Sequence, residues 1–166
     1  MAGTSSARPP ITPGSADPMT QAATVRVIRI PADVGRLAEV REMIRQAAVV
    51  AGADPAHVGD LVQAVDETAT NAIVHGHAGR PGWVEVRVAS EDDRLIVTIE
   101  DDAPPFDPTT VPEPDLSVPP EHRRPGGMGV HLARLCVDEI SHRPRPAGGN
   151  ILTLVRRLEP RMKEDG

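Results

Sequence analysis

The stretch VDETATNAIVHGHAG, residues 65–79, spaces its apolar residues as a helix does and breaks into glycine at Gly76 and Gly79. Residues four apart along a helix share a face, so Glu67, Asn71 and His75 project together, with Gln63 one turn before them. A carboxylate and a carboxamide one turn apart offer oxygen ligands to a hard cation such as Mg²⁺, or one base and one ligand. Taken alone, the same pattern also describes a solvated polar face. What surrounds it decides between the two.

Upstream, Asp54 is placed to cap this helix and Pro55 suits its first turn, while Val58, Leu61, Val62, Val65, Ala69, Ala72 and Ile73 form a buried stripe. An earlier helix starts at Asp33 and runs to near Gly52, with Val34, Leu37, Val40, Ile44, Ala47 and Ala48 inside. TVRVIRI (24–30) reads as a strand ended by Pro31. Residues 1–22, rich in Pro, Ser, Thr, Gly and Ala, are expected to be a disordered tail, with a second short tail at 159–166.

Downstream, GWVEVRVAS and DRLIVTIED alternate as two strands of a hairpin joined by the acidic turn EDD. From Ala103 to Gly126 prolines recur at 104, 105, 108, 112, 114, 119, 120 and 125. They leave a loop of about twenty residues, a length that in a small domain goes with function. GMGVHLARLCVDEI reads as a third helix, using Val130, Ala133, Leu135, Val137 and Ile140, and GGNILTLVRRL as a last strand. The order β-α-α-β-β-loop-α-β predicts an α+β, two-layer sandwich spanning 23–158. Its mixed, mainly antiparallel sheet has three helices on one face.

A chain of 166 residues holds one domain with a real core. One Phe, one Trp and no Tyr leave no stacking platforms for bases, and a net charge of −6 is the wrong sign for a phosphate-backbone binder. Cys136 is the only cysteine, which excludes an internal disulfide, and its setting LARLCVDEI reads as a buried thiol. With no signal-peptide core and no run of ~18 apolar residues, the expected location is the cytoplasm.

Two further segments join the helix. In VTIEDDAPPFDP, Asp101 stands where a strand ends, so it reads either as a turn-forming aspartate or as a carboxylate that the sheet holds rigidly toward a pocket. Such an acceptor suits an exocyclic amine, as reading adenine requires. Phe106 is expected to anchor the loop by packing. In GGMG (126–129), glycines before a helix let backbone N–H groups approach phosphate, and the helix N-terminus adds partial positive charge. Neither GxxxxGK[ST] nor GxGxxG occurs, so a phosphate site here belongs to another nucleotide architecture.

In this order, ETATNAIVH, DDAPPFDP and GGMGVHLAR resemble the N, G1 and G2 boxes of the ATP-binding fold shared by gyrase, Hsp90, histidine kinases and MutL. The NAIVHG ending and the closing GGNILTLVRRL resemble, within it, the anti-sigma factor serine/threonine kinases of the RsbW and SpoIIAB type. The resemblance covers about residues 24–158 and implies a role for each matching position. Glu67 is the general base and Asn71 holds Mg²⁺ against ATP. Asp101 reads adenine with support from Thr153, next to Ala103. Gly127, Met128 and Gly129 bind phosphate. Residues 107–126 form the ATP lid. Arg123 and Arg124, just before the G2 glycines, read either as solvated loop charges or as groups that reach the γ-phosphate. His75 takes a structural place. The implied partners are a sigma factor, a STAS-domain anti-anti-sigma protein as phospho-acceptor, and a second copy in a homodimer, with no nucleic acid or membrane.

Two G1 glycines are replaced, by Ala103 and Pro105. A methyl group near the adenine and a fixed φ are expected to lower nucleotide affinity or to stiffen the lid hinge. They keep a rival open, a nucleotide-regulated or nucleotide-independent binding module that phosphorylates nothing. A histidine kinase catalytic domain is disfavoured, since no phospho-acceptor helix pair precedes residue 24.

Overall fold

The alternating segments pair as their pattern demands. The computed structural model describes residues 25–123 and 127–158; both expected tails and Arg124 lie outside the described residues. Strands β1 (Val25–Pro31), β2 (Trp83–Glu91) and β3 (Arg94–Asp101) run antiparallel in sequence, with Ile28 opposite Val86 and Val86 opposite Ile99. Between β2 and β3 the chain reverses over Asp92 and Asp93, and Asp92 takes a left-handed φ of 48°, which aspartate tolerates better than most residues.

The first two helices start at their expected caps. Asp33 accepts a hydrogen bond from the Gly35 N–H and opens one 3₁₀ turn before α1 (Leu37–Val50). Asp54 accepts from the His57 N–H, with Pro55 in the first turn of α2 (Pro55–Asn71). The far end of α2 differs from expectation. At Ala72 it widens into a single π-helical turn, Ala72–His77, which contains Gly76, and the chain leaves through Ala78 and Gly79, both left-handed. Such turns inside helices cluster at functional sites.

The third helix is shorter than its apolar pattern. Helix α3 (Met128–Cys136) stops, and the residues expected to continue it form a strand, β4 (Glu139–Pro144), hairpinned to β5 (Asn150–Arg157). Ile140 fits either reading, but the sheet captures the backbone first: the Asp138 N–H donates to the Val155 carbonyl, and the Asp138 carboxylate accepts from the Arg157 N–H at 2.7 Å. Among the described residues the sheet therefore has five strands in the order β1-β2-β3-β5-β4, and every pairing is antiparallel, so it is not mixed.

An aliphatic core fills the space between helices and sheet. Ile44, Leu61, Val65 and Ala133 from the helices meet Val86, Val97, Ile99 and Leu154 from the sheet. The opposite sheet face holds Val25, Val27, Thr98 and Thr153 by alternation, with the Trp83 ring between the guanidinium groups of Arg29 at 4.0 Å and Arg145 at 4.9 Å. Cys136 is half-buried against the core, and desolvation pushes its thiol up. That keeps it protonated and unreactive.

The loop after β3 is less irregular than its prolines suggest. It holds two short 3₁₀ turns, Pro108–Thr110 and Pro120–His122, the first capped by Asp107. Arg134 of α3 donates to the carbonyls of Pro108, Thr109 and Val111 and fastens that turn to the helix.

Glycine matters most at the start of β5. Gly149 has φ 111°, and a Cβ there would fall on the Asp101 carbonyl, whereas Gly52, at φ 83°, has open space around it. In urea denaturation, Gly52→Ala is expected to cost about 1 kcal/mol for the left-handed backbone alone. Gly149→Ala should cost more than about 3 kcal/mol, because strain and overlap add. Equal effects would show that the two strand ends separate easily.

Candidate functional site

The C-terminal half of α2, the paired ends of β3 and β5, the loop after β3 and the first turn of α3 converge on one cavity of about 820 Å³. Its lining brings together Glu67, Asn71, Asp101, Gly127, Met128 and Gly129 of the residues singled out in the sequence. His75, Arg80, Phe106, His142 and Asn150 line it too.

On the helix side, Glu67 Oε1 accepts from Gln63 Nε2 at 2.8 Å, one turn back. That bond orients the carboxylate. A Cβ on Gly129 would come within 2.8 Å of Glu67 Oε2 and 3.4 Å of both terminal atoms of the Asn71 carboxamide. Only glycine lets the start of α3 sit this close to the acid and the amide, and that start carries the helix's partial positive charge. Gly127 enters the helix at φ 83°.

The strand side is built around Asp101. Its Oδ1 accepts from the Ala103 N–H and from Asn150 Nδ2, both at 2.9 Å. Burial pushes the Asp101 carboxyl above its ordinary range, against the pull of Asn150, the Ala103 N–H and nearby His77. Asn150 also donates to the Pro104 carbonyl and accepts from the Phe106 N–H and from His142 Nε2.

Thr153 is not part of this arrangement. It lies between Leu152, which lines the cavity, and Leu154, fully buried in the core, so alternation turns its side chain to the other sheet face. The residue of β5 that meets Asp101 is Asn150, three positions earlier. Its signal in the sequence was its place directly after the Gly-Gly pair.

Ala103 is also displaced from its expected role. It is buried but does not line the cavity, and a Cβ on Gly76 would come within 3.0 Å of its methyl group. The extra methyl thus occupies space left by Gly76, away from the cavity wall, whereas Pro105 lines the cavity. Phe106 is not a packing anchor, since its ring is more than half exposed and its backbone N–H makes the bond that holds the loop. Arg123 folds back onto the carbonyls of Leu116 and Val118 within the loop.

Of the two histidines of HGH, the structural place expected for His75 falls to His77. His75 is exposed on the cavity lining. His77 is the structural one: buried, it sets Nδ1 2.9 Å from the Ala72 carbonyl and Nε2 2.8 Å from Asp102 Oδ1. Asp102 Oδ1 also accepts from the Trp83 N–H. This clasp ties the π-helical turn to the ends of β2 and β3.

Residues 30–156 match the family described as histidine kinase-like ATPase domain. The chain is 29% identical over 121 residues to an anti-sigma F factor of Pasteuria penetrans, covering 70% of this chain and 80% of that protein. It is 31% identical to an anti-sigma F factor of Heyndrickxia coagulans, over 69% and 81% of the two chains. A serine-protein kinase RsbW of Bacillus licheniformis is 30% identical, over 66% and 70%. Among solved structures, the chain is similar to the RsbU and RsbW domains of a Mycobacterium tuberculosis protein, with a TM-score of 0.58 and 25% identity over 81% of this chain. It spans 32% of that longer chain.

The clasp makes stability depend on acid. Burial works against the Asp102 carboxylate, but hydrogen bonds from His77 and the Trp83 N–H outweigh it and hold the carboxyl below its ordinary range. A lowered folded value means that the contribution is full above the unfolded value of about 3.9 and is lost as pH falls through the folded one. In urea titrations, Asp102→Asn should be less stable than the wild type at pH 7, and the gap should narrow below about pH 4. A gap independent of pH would rule out this origin.

Proposed function

Because the chain belongs to the histidine kinase-like ATPase domain family, in the branch of the anti-sigma F factors and RsbW kinases, we propose that it is an anti-sigma factor that binds ATP with Mg²⁺. It transfers the γ-phosphate to a serine or threonine of a STAS-domain protein. The observation that carries this reading is the closeness of Gly129 to both Glu67 and Asn71, which brings a carboxylate, a carboxamide and a helix N-terminus together at the cavity. Phosphoryl transfer asks for positioning and charge neutralisation more than for covalent help from the protein.

The residues present fit a Mg²⁺ nucleotide. The Asn71 carboxamide has no protein hydrogen-bond partner among the described residues, and its neutral oxygen is the kind of single ligand Mg²⁺ takes beside phosphate oxygens. When bound, the cation offsets negative charge on the β- and γ-phosphates. Glu67, held by Gln63, accepts the proton of the attacking hydroxyl. That hydroxyl oxygen bonds to the γ-phosphorus as the bond to the oxygen shared with ADP breaks. Asp101 holds the base at the other end of the cavity, and Gly127 and Met128 lie beside Gly129 for the phosphates. Of the departures that favoured a module without catalysis, Ala103 packs against Gly76 outside the cavity, and Pro105 alone remains at its edge.

In this reading the protein works in the cytoplasm as a homodimer. It holds a sigma factor silent while its antagonist is phosphorylated and releases it when the antagonist is not. Among the described residues no helix is long and apolar enough to cross a membrane.

Labelled ATP, Mg²⁺ and the STAS proteins of the same genome test it. The wild type should label one of them on serine or threonine. Glu67→Gln should lower transfer by about a hundredfold or more with ATP still bound. Asn71→Ala should weaken Mg²⁺-dependent binding itself. Binding without transfer by the wild type to any STAS protein would replace the kinase with the binding module.

A further inference from the structure

We propose that Asn150 is a positioning residue that decides base specificity. It keeps Asp101 an ionised group that only accepts hydrogen bonds, so that the cavity reads a base offering an amino group, as adenine does, and rejects one offering a carbonyl there, as guanine does. The proposal rests on the nucleotide reading given above and adds to it the residue that sets selectivity.

A carboxamide has two donors and two acceptor positions, and Asn150 uses all four within the protein. Nδ2 donates to Asp101 Oδ1 at 2.9 Å and to the Pro104 carbonyl at 3.2 Å. Oδ1 accepts from the Phe106 N–H at 2.8 Å and from His142 Nε2 at 2.9 Å. Two of these partners are backbone groups whose roles are fixed, a carbonyl that only accepts and an N–H that only donates. They settle which end of the amide is nitrogen, and His142 must then donate from Nε2. Nothing is left over for a ligand, so Asn150 acts through Asp101.

Asp101 is 5% exposed. Its Oδ1 is taken by Asn150 and Ala103, whereas Oδ2 meets no donor among the described residues. That oxygen is the acceptor for a base. Burial favours the neutral acid, and the Asn150 amide is the strongest opposing influence, followed by the Ala103 N–H and His77. Asp102, on the next position, adds repulsion and is itself clasped to His77. Behind Asn150 stands His142, with Asp107 beyond it at 3.7 Å. The cavity lining also holds Glu67, His75 and Arg80. Without the amide, the acid takes up its proton at a higher pH. A neutral carboxyl presents an O–H, which donates to a carbonyl, so the preference shifts from amino toward carbonyl.

Binding of Mg·ATP and Mg·GTP by calorimetry from pH 5 to 8.5, on the wild type, Asn150→Ala and Asn150→Ser, tests this, with thermal melts alongside. Asn150→Ala should weaken ATP about tenfold to a hundredfold at neutral pH. It should raise the pH at which ATP binding is half lost and reduce the ATP over GTP preference at least about tenfold. Asn150→Ser, which keeps a hydroxyl donor, should recover part of each. A merely structural role lowers melting temperature and both nucleotides alike, and that pattern overturns the proposal.

A ¹³C titration of the Asp101 carboxyl in the wild type needs no variant. A neutral Asp101 at pH 7 overturns the proposal even if the variants fail to fold. If the wild type binds ATP and the variants keep its pH midpoint and its selectivity, this inference alone falls. If it binds neither nucleotide, the nucleotide reading falls and takes this one with it.

Discussion

Everything at the cavity depends on how closely two strand ends meet. β3 and β5 stay paired to their last residues, Asp101 and Asn150, and there the backbone ladder hands over to side chains. Gly149 permits the approach, since any side chain would collide with the Asp101 carbonyl. Asn150 then closes it with four hydrogen bonds that reach β3, β4 and the loop after β3. A buried carboxamide with every group satisfied is rigid, and a rigid neighbour fixes the buried Asp101 carboxylate in place.

The same junction divides the long loop into two regimes. Its first part is held at both ends, by Asn150 on Pro104 and Phe106 and by Arg134 on Pro108, Thr109 and Val111. From Pro112 to Arg123, the side-chain hydrogen bonds are local ones, Asp115 to Ser117 and Arg123 to Leu116 and Val118. Opening energies follow the density of such contacts. The part nearest Asp101 and Asn150 is the fixed one.

Much of this was legible in residue order. Helix caps at Asp33 and Asp54, alternation in β2 and β3, and the Glu67–Asn71 spacing each state a local rule that the fold obeys. What was not legible turned on a choice between two local solutions of similar merit. The residues after Cys136 satisfy a helical pattern and a strand pattern alike, and pairing with β5, which only the strand can make, settles it. Thr153 failed for a different reason: a strand reverses its facing at every residue, so a small error of register sends a side chain to the wrong side. His77 was hidden because a helical repeat assigns faces, and the π-helical turn changes the repeat where it matters.

The contact between Gly76 and Ala103 has a consequence for how such sites diverge. One methyl group sits where another residue has only hydrogen, so the two positions, 27 apart in the chain by their numbering, share a single allotment of volume. Glycine at 103 leaves room for a side chain at 76, and alanine at 103 removes it. Substitution at either place is therefore a joint event, and the π-helical turn and the start of the loop after β3 have to be compared with those of other proteins as one unit.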